Sequence, residues 1–240
     1  MNKAFEALAP KVVLGVAAHP DDLDFGASAS MAKFASQGAE IYYLILTDGS
    51  KGSADRSITS EQLIKMRRSE QLAAIKAVGG KDVTFLDYPD AALEISQALK
   101  RDIVREIRRL KPDVVITMDP SVLYSEVRGF INHPDHRAAG QATIDAVFPL
   151  ARDYLTFPEL LSENLEPHKV KTLLLTNFDK QNFYIDVSNT LDKKIAALEA
   201  HASQISDMDS IKQWITDWAA KAGKQAGYNY AEGFIRLELN

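Results

Sequence analysis

Histidine and aspartate residues are concentrated in two short segments of this 240-residue sequence. The first segment contains His19, Asp21 and Asp22, and the second, NHPDH, contains His133 and His136. Two histidines and one carboxylate, with an open position for water, are typical ligands of catalytic zinc, and iron(II) accepts the same ligands. Either segment alone is equally well explained as a turn or a helix start, but the two together favour a metal site.

The adjacent aspartates of the first segment suit a division of tasks in hydrolysis. A carboxylate that binds a metal ion loses basicity, so a second carboxylate that does not bind the metal must take a proton from the attacking water. Asp21 and Asp22 provide one group for each task. The residues alone leave open which aspartate has which role.

Short apolar runs alternate with amphipathic stretches along the chain, beginning with VVLGVAA before His19 and EIYYLILT before Asp48. Continuous apolar runs are typical of strands that are covered on both faces. The pattern predicts an α/β fold, a Rossmann-like three-layer sandwich with a mostly parallel sheet. Ligands of such folds bind beyond the carboxyl ends of the strands, so we expect the active site there, with His19, Asp48 and Asp119 on one rim.

The same periodicity predicts the helices that frame this rim. We expect helices from Gly26 to Gln37, from about Thr59 to Val78 and from about Pro134 to Leu150. If His133 caps the last of these, His136 lies in its first turn, where the helix dipole favours the neutral imidazole that binds metals. No stretch has the composition of an interdomain linker, so residues 1–240 are expected to form a single domain.

The composition narrows the choice of partners. A formal net charge of -5 gives no attraction to nucleic acids or anionic membranes, so we expect a small-molecule ligand and no nucleic acid. The absence of cysteine excludes disulfides, thiolate metal sites and cysteine nucleophiles. Since no apolar run approaches the ~20 residues of a membrane helix and the start does not resemble a signal peptide, we expect no membrane insertion and a cytoplasmic protein.

Several segments together resemble the LmbE-like or PIG-L family of zinc-dependent N-acetylglucosamine deacetylases. The resemblance runs along nearly the whole chain and rests on AHPDDLDFG, LTDGSKG, RRSEQLAAIKAVGG, YPD, HPDH and DKKIAALEAHASQ. It implies a deacetylase that uses Zn2+ and acts on a small amino-sugar substrate, while the ligand types leave Fe2+ as an alternative. Relatives in this family are often oligomeric, so the resemblance also leaves a homo-oligomer open.

The resemblance assigns roles to the residues of the two segments. His19, Asp22 and His136 would bind zinc. Asp21 would be the general base that takes a proton from water. A protonated His133 would stabilise the oxyanion that forms during attack on the acetyl carbonyl.

Arg67, Glu70, Asp90 and His201 are further candidates because they lie in the family's other motifs. Arg67 would face the substrate. It shares an otherwise apolar helix stripe with Glu70, which either orients Arg67 toward a sugar hydroxyl or an acidic aglycone, or forms a simple ion pair with it. Asp90 belongs to the YPD loop motif, and His201 is either structural or reaches a neighbouring subunit.

Three other functions remain open on the sequence. The same metal chemistry suits an amidase that acts on a larger acyl group or on a thiol-conjugate amide. A catalytically silent protein that binds sugar or metal is a second alternative. A nucleotide-binding dehydrogenase is disfavoured because HPDD, rather than Gly-x-Gly-x-x-Gly, follows the first predicted strand, and its carboxylates would repel a pyrophosphate.

Overall fold

The computed structural model describes residues 7–126 and 128–239. Its strands are β1 (Val12–Ala17), β2 (Glu40–Thr47), β3 (Asp82–Tyr88), β4 (Val114–Met118), β5 (Tyr124–Ser125), β6 (Phe130–Ile131), β7 (Thr172–Thr176), β8 (Phe183–Asp186) and β9 (Ala231–Glu238). Seven of them form one sheet in the order β3-β2-β1-β4-β7-β9-β8, and β5 pairs with β6. The first five strands in that order are parallel, whereas β9 runs antiparallel to both of its neighbours.

The α-helices of the described residues are α1 (Asp22–Gly26), α2 (Ser28–Ser36), α3 (Ser60–Val78), α4 (Gln97–Leu110), α5 (Pro134–Asp145), α6 (Leu191–Glu199) and α7 (Met208–Ala226). A short 3-10 helix covers Pro158–Glu163. Within the described ranges, no helix has both the length and the apolar character that crossing a membrane requires.

The sheet is covered on both faces, and β1 shows how. Successive residues of this central strand, Val13 and Leu14, are fully buried in two different apolar clusters, because side chains of a strand alternate between faces. One cluster includes Ile75 of α3, and the other includes Ile103 of α4. The predicted α/β sandwich with a mostly parallel sheet is therefore confirmed.

The helices that flank the site have clear start signals. Thr59 and Gln62 form a capping box at the start of α3, in which each side chain accepts a hydrogen bond from the other residue's backbone N–H. At the start of α5, His133 is the cap and Pro134 is the first helical residue, as the sequence predicted. The helix boundary thus places His136 in the first turn, at the carboxyl edge of the sheet.

Two predicted helices differ from the observed ones. The helix expected from Gly26 to Gln37 is two helices, because the backbone of Ala27 leaves the helical region (φ -153°, ψ 0°) between α1 and α2. The helix expected to reach Leu150 loses regular α geometry after Asp145, and Phe148 is extended (φ -146°, ψ 121°). Proline disfavours the α conformation in the residue before it, and Pro149 follows Phe148.

Candidate active site

Three imidazoles meet at the carboxyl end of β1 and the start of α5. His19 lies in the loop after β1, and His133 and His136 lie at the first turn of α5. The ring centroid of His19 is 4.9 Å from that of His133 and 5.3 Å from that of His136, and the latter two are 5.3 Å apart. The parallel sheet therefore brings the two histidine-containing segments into one cluster.

Asp22 lies between His19 and His136. Its Oδ1 is 3.0 Å from Nε2 of His136, and its Oδ2 is 3.4 Å from Nδ1 of His19. Oδ2 also accepts a hydrogen bond of 2.7 Å from the backbone N–H of His19. Burial alone would raise the pKa of Asp22, but the imidazoles of His136 and His19 hold it well below its usual value. Asp22 is therefore an ionised carboxylate in contact with both histidines.

Two further carboxylates approach the other ring nitrogen of His19. Its Nε2 lies 3.2 Å from Oδ1 of Asp90 and 3.3 Å from Oδ2 of Asp135. Burial opposes ionisation of Asp90, but the contact with His19 lowers the pKa of Asp90 to about 2. Asp90, a further candidate from the sequence, thus lies inside the site.

Two sets of side chains among the described residues have donor atoms close enough together to hold one metal ion. They are His19 with His133 and His136, and His19 with Asp90 and Asp135. The expected set of His19, Asp22 and His136 is not one of them, although Asp22 contacts both of these histidines. Imidazole nitrogens and carboxylate oxygens are ligands that zinc and iron(II) both accept.

The charges around the imidazoles favour a cation at this position. Burial lowers the pKa of His19, but Asp22 and Asp90 outweigh this effect and raise it to about 10. The pKa of His136 is also raised, because Asp22 outweighs burial, whereas its place in the first turn of α5 had predicted a neutral imidazole. The surrounding carboxylates stabilise positive charge here, so the imidazoles and carboxylates around His19 fit a bound divalent metal.

Asp21 differs from its neighbour Asp22 in both conformation and charge. Burial and the adjacent Asp22 raise the pKa of Asp21 to about 7, although Arg67 opposes the shift. The backbone of Asp21 has φ 94°, a value that is rare for residues other than glycine. Its N–H donates a hydrogen bond of 2.9 Å to Oε1 of Gln71, which fixes this turn. Asp21 can therefore exchange a proton near neutral pH, whereas Asp22 stays ionised.

Arg67 connects the loops around the site. Its guanidinium donates hydrogen bonds to the backbone carbonyls of Pro20 (2.8 Å), Gly49 (3.3 Å) and Lys51 (3.2 Å). It also lies 3.6 Å from the carboxylate of Asp21. Since Arg67 is only 4% exposed, much of its hydrogen-bonding capacity is used within the protein. The side chain holds two loops in place and lies beside the proposed base.

Glu70 does not orient Arg67, so this expectation was wrong. The carboxylate of Glu70 accepts hydrogen bonds from the backbone N–H (2.8 Å) and the hydroxyl (2.7 Å) of Ser203. The buried positions of α3 include Arg67 and Gln71, which are four residues apart, rather than Glu70. Glu70 therefore ties α3 to the loop after α6.

A buried polar network lies next to Asp21, and we define it as Asp24, Tyr43, Gln71 and His201. Oδ2 of Asp24 is 2.8 Å from Nε2 of His201 and accepts a hydrogen bond of 2.8 Å from Gln71, while Oδ1 accepts one of 3.2 Å from Tyr43. His201 is 0% exposed, so its side chain does not reach a neighbouring subunit. Burial lowers the pKa of His201, but Asp24 outweighs it and the pKa is raised.

Asp135 and Gln71 belong to the site but were missed by the sequence reasoning. Asp135 accepts hydrogen bonds from the backbone N–H groups of Ala91 (2.7 Å) and Leu93 (3.2 Å), and so fixes the loop that carries Asp90. Its place between the two histidines of HPDH was a usable signal. Gln71 could have been found from its i+4 position on the buried face of α3.

Two cavities share Asp22 and His136 as parts of their walls. The first has a volume of about 270 Å³, and most of the residues that line it have polar side chains, including Asp21, Lys51, Arg67, Asp90 and His133. The second has a volume of about 230 Å³ and includes Asp119. Asp48 lines neither cavity but accepts a hydrogen bond of 3.3 Å from the backbone N–H of Asp90.

Comparisons with known proteins agree with the motifs. The family model described as PIG-L, GlcNAc-PI de-N-acetylase, matches residues 14–147. The chain is 31% identical over 226 residues to the diacetylchitobiose deacetylase of Thermococcus kodakarensis, across 93% of this chain and 82% of the relative. It is also 31% identical over 246 residues to the 1D-myo-inositol 2-acetamido-2-deoxy-alpha-D-glucopyranoside deacetylase of Acidothermus cellulolyticus, across 81% of this chain and 80% of the relative.

A solved structure extends the similarity to the whole fold. The N,N'-diacetylchitobiose deacetylase from Pyrococcus horikoshii superposes with a TM-score of 0.87 and 28% identity, covering 95% of this chain and 84% of that chain. The expectation of an enzyme of the deacetylase class is confirmed by these relatives. Because the family model matches more than half of its residues, the chain belongs to the PIG-L family.

Proposed function

We propose that this chain is a zinc-dependent hydrolase that removes the acetyl group from an N-acetylglucosamine unit of a small-molecule substrate. One observation carries the proposal. In a single polar cavity, a cluster of imidazoles and carboxylates that stabilises positive charge lies beside Asp21, a carboxyl group whose pKa is about 7. Metal-assisted hydrolysis needs these two components, a cation site and a neighbouring base.

The relatives support the choice of substrate class. One acts on diacetylchitobiose and another on a 2-acetamido-2-deoxy-glucopyranoside of myo-inositol. Both substrates contain an acetylated amino group on a glucose ring, although the rest of each molecule differs. The shared N-acetylglucosamine unit is therefore what we assign to this chain.

His19, Asp22 and His136 would hold the zinc ion, because His19 and His136 belong to one of the two donor sets and Asp22 contacts both of these histidines. Fe2+ is the alternative that the same donors accept. When bound, the ion supplies a Lewis acid that polarises the amide carbonyl and makes water more acidic. Asp21 takes a proton from the attacking water and returns it to the amine as the carbon–nitrogen bond breaks. The products are acetate and the free amino sugar.

His133 stabilises the oxyanion as a neutral imidazole, whereas the family resemblance implied a protonated one. Burial, together with the nearby His19 and His136, lowers the pKa of His133. Its Nδ1 accepts a hydrogen bond of 3.2 Å from the backbone N–H of Asp135, so the proton of the neutral ring lies on Nε2. Nε2–H can then donate to the oxyanion without a full positive charge.

The cavity also offers groups for the sugar hydroxyls. Asp90 and Lys51 both line it. The backbone N–H of Lys51 donates to Asp90 at 2.9 Å, which holds this carboxylate in place. We assign Asp90 to the sugar hydroxyls, and we assign Arg67 mainly to holding the loops and the Asp21 carboxylate, with its remaining capacity facing the substrate.

The test is acetate release from N-acetylglucosamine and N,N'-diacetylchitobiose by protein loaded with zinc. We expect release that disappears after chelation and returns when zinc is restored. Sugar binding without acetate release would instead support a catalytically silent binding protein. Cleavage of thiol-conjugate amides with no release from either sugar would support the amidase alternative.

Three further expectations from the sequence stay predictions. They are the single domain over residues 1–240, the cytoplasmic location and the homo-oligomer.

A further inference from the structure

The second cavity adjoins the site but has a different chemical character. Its wall includes Asp22 and His136, the same residues that face the polar cavity. The rest of its lining is mainly apolar and includes Phe25, Met118, Val122, Phe130 and Phe178. A substrate that reacts at the shared wall therefore has a polar space and an apolar space within reach.

Several polar groups of the second cavity already have partners within the protein. Oδ2 of Asp119 accepts a hydrogen bond of 2.5 Å from Asn177, and Oδ1 accepts one of 2.8 Å from the backbone N–H of Ser121. The guanidinium of Arg128 lies over the rings of Phe130 (5.1 Å) and Phe178 (4.7 Å). Asn132, Thr176 and Asp179 add further polar groups, but the larger part of the surface that a ligand would meet is apolar.

We propose that the second cavity receives the acyl group of the substrate and that it accepts N-acyl chains longer than acetyl. The inference rests on the proposed function, which places the sugar in the polar cavity and the amide carbonyl at the shared wall. The two substituents of an amide extend away from each other, so the acyl chain leads into the apolar space. The reaction stays a hydrolysis: water adds to the acyl carbon, the carbon–nitrogen bond breaks, and the nitrogen takes up a proton.

The cavity has enough room for the preference to be measurable. A volume of about 230 Å³ is much larger than one methyl group needs. Each methylene group moved from water to an apolar surface improves binding about fourfold. We therefore expect N-butyrylglucosamine to be cleaved with a kcat/KM roughly tenfold above that of N-acetylglucosamine.

The experiment compares N-acetyl-, N-butyryl- and N-hexanoylglucosamine as substrates of the zinc-loaded protein, with release of free amine as the readout. Val122→Phe narrows the second cavity and should lower the ratio of butyryl to acetyl kcat/KM about tenfold. Leu123→Phe is the matched control, because Leu123 is 54% exposed and lies outside the cavity lining. This control should leave the ratio within about twofold of its original value.

A kcat/KM for the butyryl and hexanoyl sugars below that for the acetyl sugar would overturn the inference. An unchanged ratio in a folded Val122→Phe protein would also overturn it. If no substrate releases amine, the proposed function fails, and calorimetric binding of the same three sugars then decides the inference alone. Tighter binding of the longer chains supports the acyl cavity, and equal or weaker binding contradicts it.

Discussion

Histidine–aspartate pairs occur in two neighbouring regions of the molecule and have different roles in each. One region is the site cluster (His19, Asp22 and His136), and the other is the buried network behind it. His136 contacts Asp22 at 3.0 Å, and His201 contacts Asp24 at 2.8 Å. His136 lines both cavities, whereas His201 and Asp24 are 0% exposed. Access to a ligand, rather than residue type, separates a pair that can do chemistry from a pair that holds the fold.

Gln71 connects the two regions. Its amide nitrogen donates to Asp24 in the buried network, and its amide oxygen accepts the N–H of Asp21 at the site. The unusual backbone of Asp21 is thus supported from inside the protein. Strained backbone at a functional residue persists only when its surroundings hold it in place. The buried network therefore positions the base without contacting a substrate.

The largest effects are expected from the two adjacent aspartates. Asp22→Ala should lose bound zinc and, with it, nearly all turnover, because a carboxylate that contacts both His19 and His136 is removed. Asp21→Ala should keep zinc but lower kcat by about 10²–10⁴, the usual contribution of a general base. Elemental analysis of zinc and the rate of acetate release measure both outcomes. Equal zinc content and equal activity in the two variants would contradict the division of roles.

Much of the site cluster could be predicted from the sequence because parallel strands place their carboxyl ends at one edge. HPDD follows the first apolar run and HPDH opens a helix, so their convergence follows from the sheet alone. The motif resemblance then separated the roles of Asp21 and Asp22. The convergence of the two motifs and the roles of the two aspartates can be predicted from local sequence patterns and from the strand order that they imply.

The buried network could not be predicted in the same way. His201 and Asp24 are 177 positions apart, and no spacing rule links the loop after α6 to helix α1. On α3 the sequence reasoning paired Arg67 with Glu70, its i+3 neighbour, whereas Glu70 binds Ser203 and the buried i+4 residue Gln71 binds Asp21 and Asp24. These contacts join segments far apart in the chain, so they depend on how the helices pack in the complete fold.

The second prediction concerns the stability that the buried network contributes. His201→Ala leaves the carboxylate of Asp24 buried without its histidine partner, and breaking a buried pair in this way costs about 3–5 kcal/mol of unfolding free energy. Zinc content should be unchanged, because His201 is not part of the site cluster. Chemical denaturation and elemental analysis measure the two quantities. Loss of zinc from folded His201→Ala protein would show that the two regions are not separate in function.

The third prediction is the pH dependence of that contribution. The pKa of His201 is raised above its ordinary value of 6.5 in the folded protein, where Asp24 is the nearest carboxylate. The stabilisation is therefore fully present below pH 6.5 and is lost as the pH rises through the folded-state pKa. The difference in unfolding free energy between wild type and His201→Gln should be larger at about pH 6 than at about pH 9. An equal difference at both pH values would mean that His201 does not change its charge on folding.

The fourth prediction tests the link between the two regions. Gln71→Met keeps the side-chain volume but removes the hydrogen bonds to the Asp21 N–H and the Asp24 carboxylate. We expect kcat to fall roughly tenfold, a cost of about 1.4 kcal/mol, with zinc retained and KM little changed. Leu72→Met is a matched control on the exposed side of the same helix. A rise in KM with unchanged kcat would instead assign Gln71 to substrate binding and not to positioning the base.

The smallest effect is expected from Glu70, which was first interpreted as orienting Arg67. Glu70→Ala removes two hydrogen bonds to Ser203 and should cost about 1 kcal/mol of unfolding free energy, while kcat changes less than about twofold. Arg67→Ala should lower activity far more, because it frees the carbonyls of Pro20, Gly49 and Lys51 and removes a charge beside Asp21. If Glu70→Ala reduced kcat as much as Arg67→Ala, Glu70 would act through Arg67 after all, and the contact with Ser203 would be incidental.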